Sequence, residues 1–160
     1  MIHLIAAIDR RGGIGNRGDL LYHISADLRR FKSLTLGNVI VMGRKTFESL
    51  PKGALPGRRN IVVSGNKEFQ AHGAETALTV EQALEMAKSG PGDTFVVGGA
   101  SIYRQTLPMA EILDITIVHD KAPESDTVFP TIELDNFEVV NDSGRCHGEP
   151  SYSFITLRRK

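Results

Sequence analysis

GIGNRG, residues 13–18, follows the apolar run MIHLIAAI at 1–8 and carries the G-x-G-x-x-G spacing of a dinucleotide-binding turn. In a Rossmann unit the strand leads straight into the glycines and the helix opens among them, so that its first amides face a pyrophosphate. Neither condition holds here. Residues 9–12 separate the run from Gly13, and the next helix-start signal, Ser25, stands seven residues past Gly18. The next strand, VIVM at 39–42, ends in Gly43-Arg44-Lys45 where an acidic ribose ligand is expected. A chain with 16 glycines produces the spacing by chance. The stretch therefore reads as a mobile Gly-rich loop, and the fold must be read from the elements around it.

Those elements are short β-branched runs: IHLIAAI (2–8), NVIVM (38–42), NIVVS (60–64), TFVVG (94–98) and ILDITIVH (112–119). Most are apolar throughout, which implies strands covered on both faces, and helical patterns lie between them at 25–36, 46–50, 79–89 and 100–107. That order predicts an α/β fold with a largely parallel sheet. After residue 112 the helical patterns stop. FEVVN (137–141) and SYSFITLRR (151–159) alternate in polarity and predict an antiparallel finish on one edge, hence a mixed sheet.

The 160 residues suit one domain, 1–160, large enough to bury about two-thirds of its unfolded surface. Nineteen basic residues balance nineteen acidic ones, which argues against a nucleic-acid or anionic-membrane partner and for a small molecule. The single Cys146 excludes an internal disulfide and reads as a surface loop thiol. No apolar stretch reaches the length of a membrane span, and no signal-peptide pattern opens the chain, so a cytoplasmic protein is expected. His3, His23, His72, His119 and His147 show no metal-ligand spacing, no metal is expected, and no serine sits in a nucleophile elbow.

In open α/β sheets ligands bind beyond the carboxyl ends of the strands, and three of those ends share a pattern: VIVM-GRKT, IVVS-GNK and FVVG-GAS. In GRKT, Thr46 reads as an N-cap, with Arg44 and Lys45 adding positive charge where the helix dipole is already positive. A bound phosphate removes the conflict, with Ser64 as a further donor; two solvated surface cations are the alternative. Gly98-Gly99 leads into a helix with no acidic residue in its first turn. Paired glycines allow close approach of a pyrophosphate, or simply make a tight turn.

Asp27 is the third feature. At 100° per residue with Asp27 at zero, Phe31 falls at about 40°, Leu34 at about 340°, Thr35 at about 80° and Leu28 at about 100°. Asp27 thus lies in the apolar stripe, with Arg29, Arg30, Lys32 and Ser33 in the opposite arc. One account has Ser25 capping the helix and Asp27 complementing its dipole. The other has an inward carboxylate, costly unless paired, that hydrogen-bonds an amidine-like group of a bound heterocycle.

Together IAAI (5–8), IGNRGDL (14–20), ADLRRFK (26–32), VMGRKTFESL (41–50), LPGRRNIVVS (55–64), VVGGASIY (96–103), DTVFP (126–130) and SYSF (151–154) resemble dihydrofolate reductases, in order and spacing, over essentially the whole chain. The resemblance implies a mixed eight-stranded sheet with four helices, and NADPH-dependent reduction of 7,8-dihydrofolate to tetrahydrofolate in one-carbon metabolism. It also implies a monomer that takes dihydrofolate and antifolate-type molecules. Asp27 matches the active-site carboxylate that binds the pterin N3 and 2-amino group and favours protonation at N5. Ile5, Ala7, Leu28, Phe31, Leu50, Leu55, Val97 and Thr116 match the folate pocket, and Arg58 matches the arginine for the glutamate α-carboxylate. Arg44, Lys45, Thr46 and Ser64, with Gly43, Val63 and Gly65, match the 2′-phosphate side of the cofactor site. Gly98, Gly99, Ala100, Ser101, Ile102, Tyr103 and Gln105 match the pyrophosphate and nicotinamide segment, with a cis peptide between the paired glycines. Ala7, Ile14, Gly15, Gly18, Asp19, Leu20, Val97 and Thr127 complete the cofactor set. GIGNRG then matches part of a lid over the nicotinamide, with Leu20 and Tyr22 at the reacting centre and Tyr103 near the nicotinamide charge.

The family usually reads L-P-W-H after the lid glycines, whereas this chain reads Leu20-Leu21-Tyr22-His23 and has no tryptophan. Ser101 stands where some members carry arginine, which implies a weaker preference for the 2′-phosphate. Two rivals remain at this point. A pyrimidine reductase of riboflavin synthesis shares the architecture but does not need Asp27, and a nucleotide-binding module would bind NADPH without turnover.

Overall fold

The computed structural model describes residues 1–16, 19–20, 24–119, 127–148 and 150–160. Its elements run β1 (Ile2–Ile8), β2 (Gly13–Asn16), β3 (Asp19–Leu20), α1 (Ser25–Thr35), β4 (Val39–Gly43), α2 (Arg44–Ser49), β5 (Arg59–Val63), β6 (Glu75–Ala77), α3 (Val80–Lys88), β7 (Thr94–Val96), α4 (Ala100–Thr106), β8 (Ile112–Val118), β9 (Thr127–Val128), β10 (Phe137–Asp142) and β11 (Tyr152–Arg159). The main sheet has eight strands in the order β10-β11-β8-β1-β7-β4-β5-β6. From β8 to β6 all pairs are parallel, while β11 pairs antiparallel with both β8 and β10. The fold is thus α/β, a mostly parallel sheet with four helices and the expected antiparallel edge.

Continuous apolar strands place successive side chains on opposite faces, so each strand feeds two cores. Ile5, Ile40, Met42, Val62 and Phe95 point to one face, against Phe31 and Leu34 of α1 and Phe47 of α2. Their neighbours Val39, Val41 and Ile61 point to the other, against Ala83 and Ala87 of α3. Leu4, Val96, Leu113 and Ile115 share that second side with Ile102 and Tyr103 of α4. Thr79 caps α3 by accepting a hydrogen bond from the Gln82 amide, as its spacing in TVEQ requires.

Several expectations need correction. Residues 13–16 of the Gly-rich stretch form β2, paired with β3 and β9 in a separate three-stranded sheet. Backbone pairing alone makes this strand, anchored by Asp9, whose buried carboxylate accepts from the amides of Arg11 (2.7 Å) and Gly13 (2.8 Å). Helix α2 begins at Arg44 and not at Thr46; its N-cap is Gly43, the last residue of β4, with no side-chain cap bond. Ser25 is likewise the first helical residue and not the cap, a position held by Ile24. Cys146 is half-buried and bridges to Tyr152 through its backbone.

Candidate active site

Helix α1 sets the geometry. Asp27 stands in its first turn and Thr35 at its end, eight residues or about 12 Å apart. The wheel reading holds for Asp27: its carboxylate points at the sheet, where the Thr116 hydroxyl of β8 donates to it at 2.5 Å. Burial pushes the Asp27 carboxyl above the ordinary carboxylate range, while the Thr116 hydrogen bond and the positive charge of Arg30 oppose that push. Ala7 lies directly opposite Thr116 in the β1/β8 ladder, so the two side chains share one face of the sheet.

Beside Asp27 the floor is apolar. Ile5, Phe31, Leu50, Leu55 and Val97, all named from sequence, pack in one cluster around Ile40, Met42 and Phe95. Leu28 is 47% exposed at the rim, an apolar side chain without protein cover. At the far end of α1, Arg58 donates to Thr35 Oγ1 at 3.3 Å and to the Pro56 carbonyl at 3.0 Å. Asp27 and Arg58 thus mark the two ends of α1, whose Phe31 and Leu34 pack against the cluster of Ile5, Leu50 and Leu55.

Arg58 and Leu55 ride on the segment that leads into β5 at Arg59. Buried Asn60 holds it: its Oδ1 accepts from the Leu55 amide at 2.9 Å, and its Nδ2 donates to the carbonyls of Leu55 (2.9 Å) and Arg58 (2.8 Å). Asn60→Ala strands those groups and is expected to cost about 1–3 kcal/mol. Chemical denaturation measures that loss. The signal was present in the sequence, since an Asn inside an apolar strand after a Pro-Gly turn has little reason to be there except to bond the turn.

On the other side of the sheet ends, the starts of α2 and α4 converge. The Gly43 amide donates to the Gly98 carbonyl at 2.9 Å, and the Gly98-Gly99 peptide is cis, as expected. Neither helix has an acidic residue in its first turn or a side-chain cap. Added Cβ atoms would lie 3.2 Å from Ile102 Cγ1 at Gly43, and 3.6 Å from Thr46 Oγ1 at both Gly98 and Gly99. The bare backbone with Thr46, exposed Lys45 and exposed Arg44 fits a phosphorylated dinucleotide. Arg44 is oriented by Glu48 at 2.8 Å and by the Phe69 ring at 5.5 Å. Ser64 is buried just past β5 at Val63, where its Oγ accepts from the Asn66 amide at 3.2 Å; Gly65 beside it has open space around it.

Ala100 and Ser101 open α4, where exposed Ser101 Oγ accepts from Gln105 at 3.1 Å. Ile102 and Tyr103 are buried in the core below. The Tyr103 hydroxyl donates to the Ile5 carbonyl at 2.7 Å, and burial, aided by the Asp27 charge, raises its pKa far above the usual phenol value. Tyr103 therefore secures the backbone of β1 beside the site through a neutral hydroxyl. Ile14 packs against the same core, and Gly15 pairs with Thr127 across β2 and β9. For Asp19 and Leu20 only the backbone strand β3 is described, and Gly18, Leu21, Tyr22 and His23 lie outside the described residues. Among the described residues no cluster of His, Cys, Asp or Glu is arranged to hold a metal ion.

Arg30 is the clearest correction to the reading of α1. It was placed on the solvent arc, yet its side chain is only 18% exposed and turns toward Asp114 of β8. At about 60° from Asp27 it flanks the apolar stripe, and its long stem lets the guanidinium curl under the helix. Asp114 and His3 were not singled out. The period of two in ILDITIV puts Asp114 on the same face as Thr116, which is the signal that would have found it.

The family model described as dihydrofolate reductase matches residues 1–159. A dihydrofolate reductase of Neisseria meningitidis serogroup A is 42% identical over 160 residues, covering 99% of this chain and 98% of that protein. The type 3 dihydrofolate reductase of Salmonella typhimurium is 39% identical over 163 residues, covering 100% and 99%. Among solved structures, a dihydrofolate reductase from Enterococcus faecalis complexed with NADP(H) and RAB-propyl superposes with a TM-score of 0.93 at 32% identity, covering 100% of this chain and 96% of that one. Sequence match and superposition agree, and the inward carboxylate of Asp27 fits them: the chain belongs to the dihydrofolate reductase family.

Proposed function

We propose that Asp27 and the trough beneath α1 bind 7,8-dihydrofolate for the reaction of the family, its NADPH-dependent reduction to 5,6,7,8-tetrahydrofolate for one-carbon metabolism. The observation that carries the residue assignment is the inward carboxylate of Asp27, held by Thr116 at 2.5 Å beside the Ile5/Phe31/Leu50 floor. Asp27 accepts hydrogen bonds from the pterin N3 and 2-amino group, which fixes the ring face. Phe31, Leu50 and Leu55 hold the aromatic middle of the substrate, Leu28 closes over it, and Arg58 pairs with the glutamate α-carboxylate. The trough excludes water from the reacting face and sets the approach distance.

Bound NADPH supplies the hydride for pterin C6. Lys45, Thr46 and Ser64, with the amides at the start of α2, hold its 2′-phosphate end, and the Gly98-Gly99 backbone with the start of α4 accommodates the pyrophosphate. The proton for N5 comes by way of water, because Asp27 meets the pterin on the opposite edge; burial pushes the Asp27 carboxyl above the ordinary carboxylate range, so it holds a proton to higher pH than a free aspartate. With Arg44 and Lys45 both replaced by neutral residues, the Kd for NADPH is expected to rise at least tenfold, the loss of a charge-assisted contact of about 1.5–3 kcal/mol. The Kd for NADH should barely change, and fluorescence titration of the two cofactors measures the difference.

The same reading takes the chain as one domain over 1–160 and a cytoplasmic monomer without nucleic-acid or membrane partners. Balanced charge supports it, and no helix among the described residues is long and apolar enough to cross a membrane. Members of the family bind antifolate inhibitors as well as dihydrofolate. The direct test is the fall in absorbance at the NADPH band on adding dihydrofolate. Turnover of dihydrofolate and none of a ribosylaminopyrimidine is expected; the reverse would overturn the assignment of Asp27 to a pterin.

A further inference from the structure

Beneath α1 lies a chain of charged groups that the reaction as described does not use. The Met1 ammonium donates to Asp93 Oδ1 at 3.1 Å, and Asp93 Oδ2 faces His3 Nε2 at 3.2 Å. The His3 ring stacks on Phe95 with centroids 4.3 Å apart and presents Nδ1 to Asp114 Oδ2 at 2.9 Å. The other Asp114 oxygen lies 3.9 Å from Arg30 Nη2, which donates to Thr156 Oγ1 at 3.5 Å, and the guanidinium sits 4.7 Å above the Phe154 ring. Arg30 follows Asp27 by three residues, one helical turn, so the two side chains are neighbours. The line ends at the active carboxylate.

Arg30 is held in a particular way. Asp114, 6% exposed, is too deep to be a surface counter-ion, and its approach to Arg30 is long and single-pronged. A saturated arginine would form a short bidentate pair. This guanidinium faces Asp114 and starts one helical turn from Asp27, while Phe154 and Thr156 of β11 flank it. Residues 29, 32 and 33 of the same helix are exposed, so α1 has its solubilising face elsewhere.

We propose that Arg30 is a positioning residue for Asp27: clamped by Asp114, Thr156 and Phe154, its charge keeps the carboxylate ionised as a pterin-binding anion, and Asp114 tempers that charge. The inference rests on the assignment of Asp27 as the pterin carboxylate. Among the described residues, the charged or titratable groups around Asp27 are Arg30 on α1, Asp114 on β8 with His3 of β1 behind it, and Tyr103 of α4, joined by the Thr116 hydroxyl. Of these only Arg30 opposes, as a charge, the upward push that burial gives the Asp27 carboxyl.

The test is the pH dependence of hydride transfer in the full-length enzyme, followed by stopped flow with NADPH and its 4-deuterated form. The reaction takes up a proton, so the rate falls as pH rises. Arg30→Gln is expected to move the midpoint of that fall up by about one pH unit, the usual effect of one nearby opposite charge on a carboxylate. Arg30→Lys should keep the original midpoint, and Asp114→Asn should move it down by freeing the guanidinium charge. A merely structural role for Arg30 would lower the rate at every pH without displacing the midpoint. An unmoved midpoint in Arg30→Gln, or an upward displacement in Asp114→Asn, overturns the proposal. If Arg30→Gln does not fold, Asp114→Asn decides alone: a downward midpoint supports it and any other result refutes it. Asp27→Asn separates the two levels, because a wild-type rate and profile in that variant would overturn the pterin assignment itself.

Discussion

Asp27→Asn is expected to slow hydride transfer at neutral pH by at least about tenfold, a floor set below the roughly 10²–10⁴-fold that a positioned acid or base contributes, while making the ligand-free protein more stable. The first effect follows because an amide can still accept from Thr116 Oγ1 but offers neither the negative charge nor the proton that the pterin edge requires. The second follows from the raised pKa. The unfolded carboxyl releases its proton near the ordinary aspartate value of about 3.9, while the folded one holds it to higher pH. Between those two values the native state binds more protons than the unfolded state, so stability falls as pH rises; below both there is no penalty. Asparagine removes the penalty. Thermal midpoints of the apo proteins should therefore differ in favour of the variant at pH 7 and converge below about pH 4. A variant that is both fully active and no more stable would show that this carboxylate is an ordinary cap of the helix dipole.

Gly98→Ala is expected to damage folding and cofactor binding together. Gly98 sits at φ +122°, where residues with a Cβ are strained, and forcing alanine there costs about 1–3 kcal/mol. The new methyl would lie 3.4 Å from Tyr103 Oη and 3.6 Å from Thr46 Oγ1, inside the bare cradle between α2 and α4. Relief by backbone movement would disturb the bond from the Gly43 amide to the Gly98 carbonyl, which joins the two helix starts. Urea denaturation should show the stability loss and fluorescence titration a weaker NADPH complex. Loss of stability with unchanged NADPH affinity would place the cofactor elsewhere.

The sheet was legible in the sequence because its strands are buried on both faces, and continuous apolarity survives as a plain pattern in runs such as VIVM and NIVVS. Strands β3, β6 and β9 were not, since only two or three residues pair in each, and in β6 Glu75 and Thr76 are exposed. The start of α2 was misjudged by two residues because hydroxyl caps are commonly expected there, whereas the chain leaves β4 through Gly43 straight into the helix.

The site followed the same division. Asp27 was found by its angle on the helix, a property of Cβ position, and the pocket residues by their motifs. Arg30 was misplaced because it was grouped with the polar residues around it, although its angle, about 60° from Asp27 and about 40° from Leu34, sets it at the edge of the apolar stripe. The partner that draws it inward, Asp114, comes from a strand more than eighty residues away, and only the β1/β8/β11 pairing brings His3, Asp114, Thr116 and Thr156 under one helix. Asn60 hid for a related reason: its three bonds go to backbone groups of its own turn.

The account turns on where the heterocycle lies. A crystal structure of the enzyme with folate and NADP⁺ bound should place the pterin N3 and 2-amino group within hydrogen-bond distance of the two Asp27 oxygens, with the ring over Ile5 and Phe31 and the glutamate α-carboxylate on Arg58. A pterin seated elsewhere, with Asp27 still bonded only to Thr116, would contradict it.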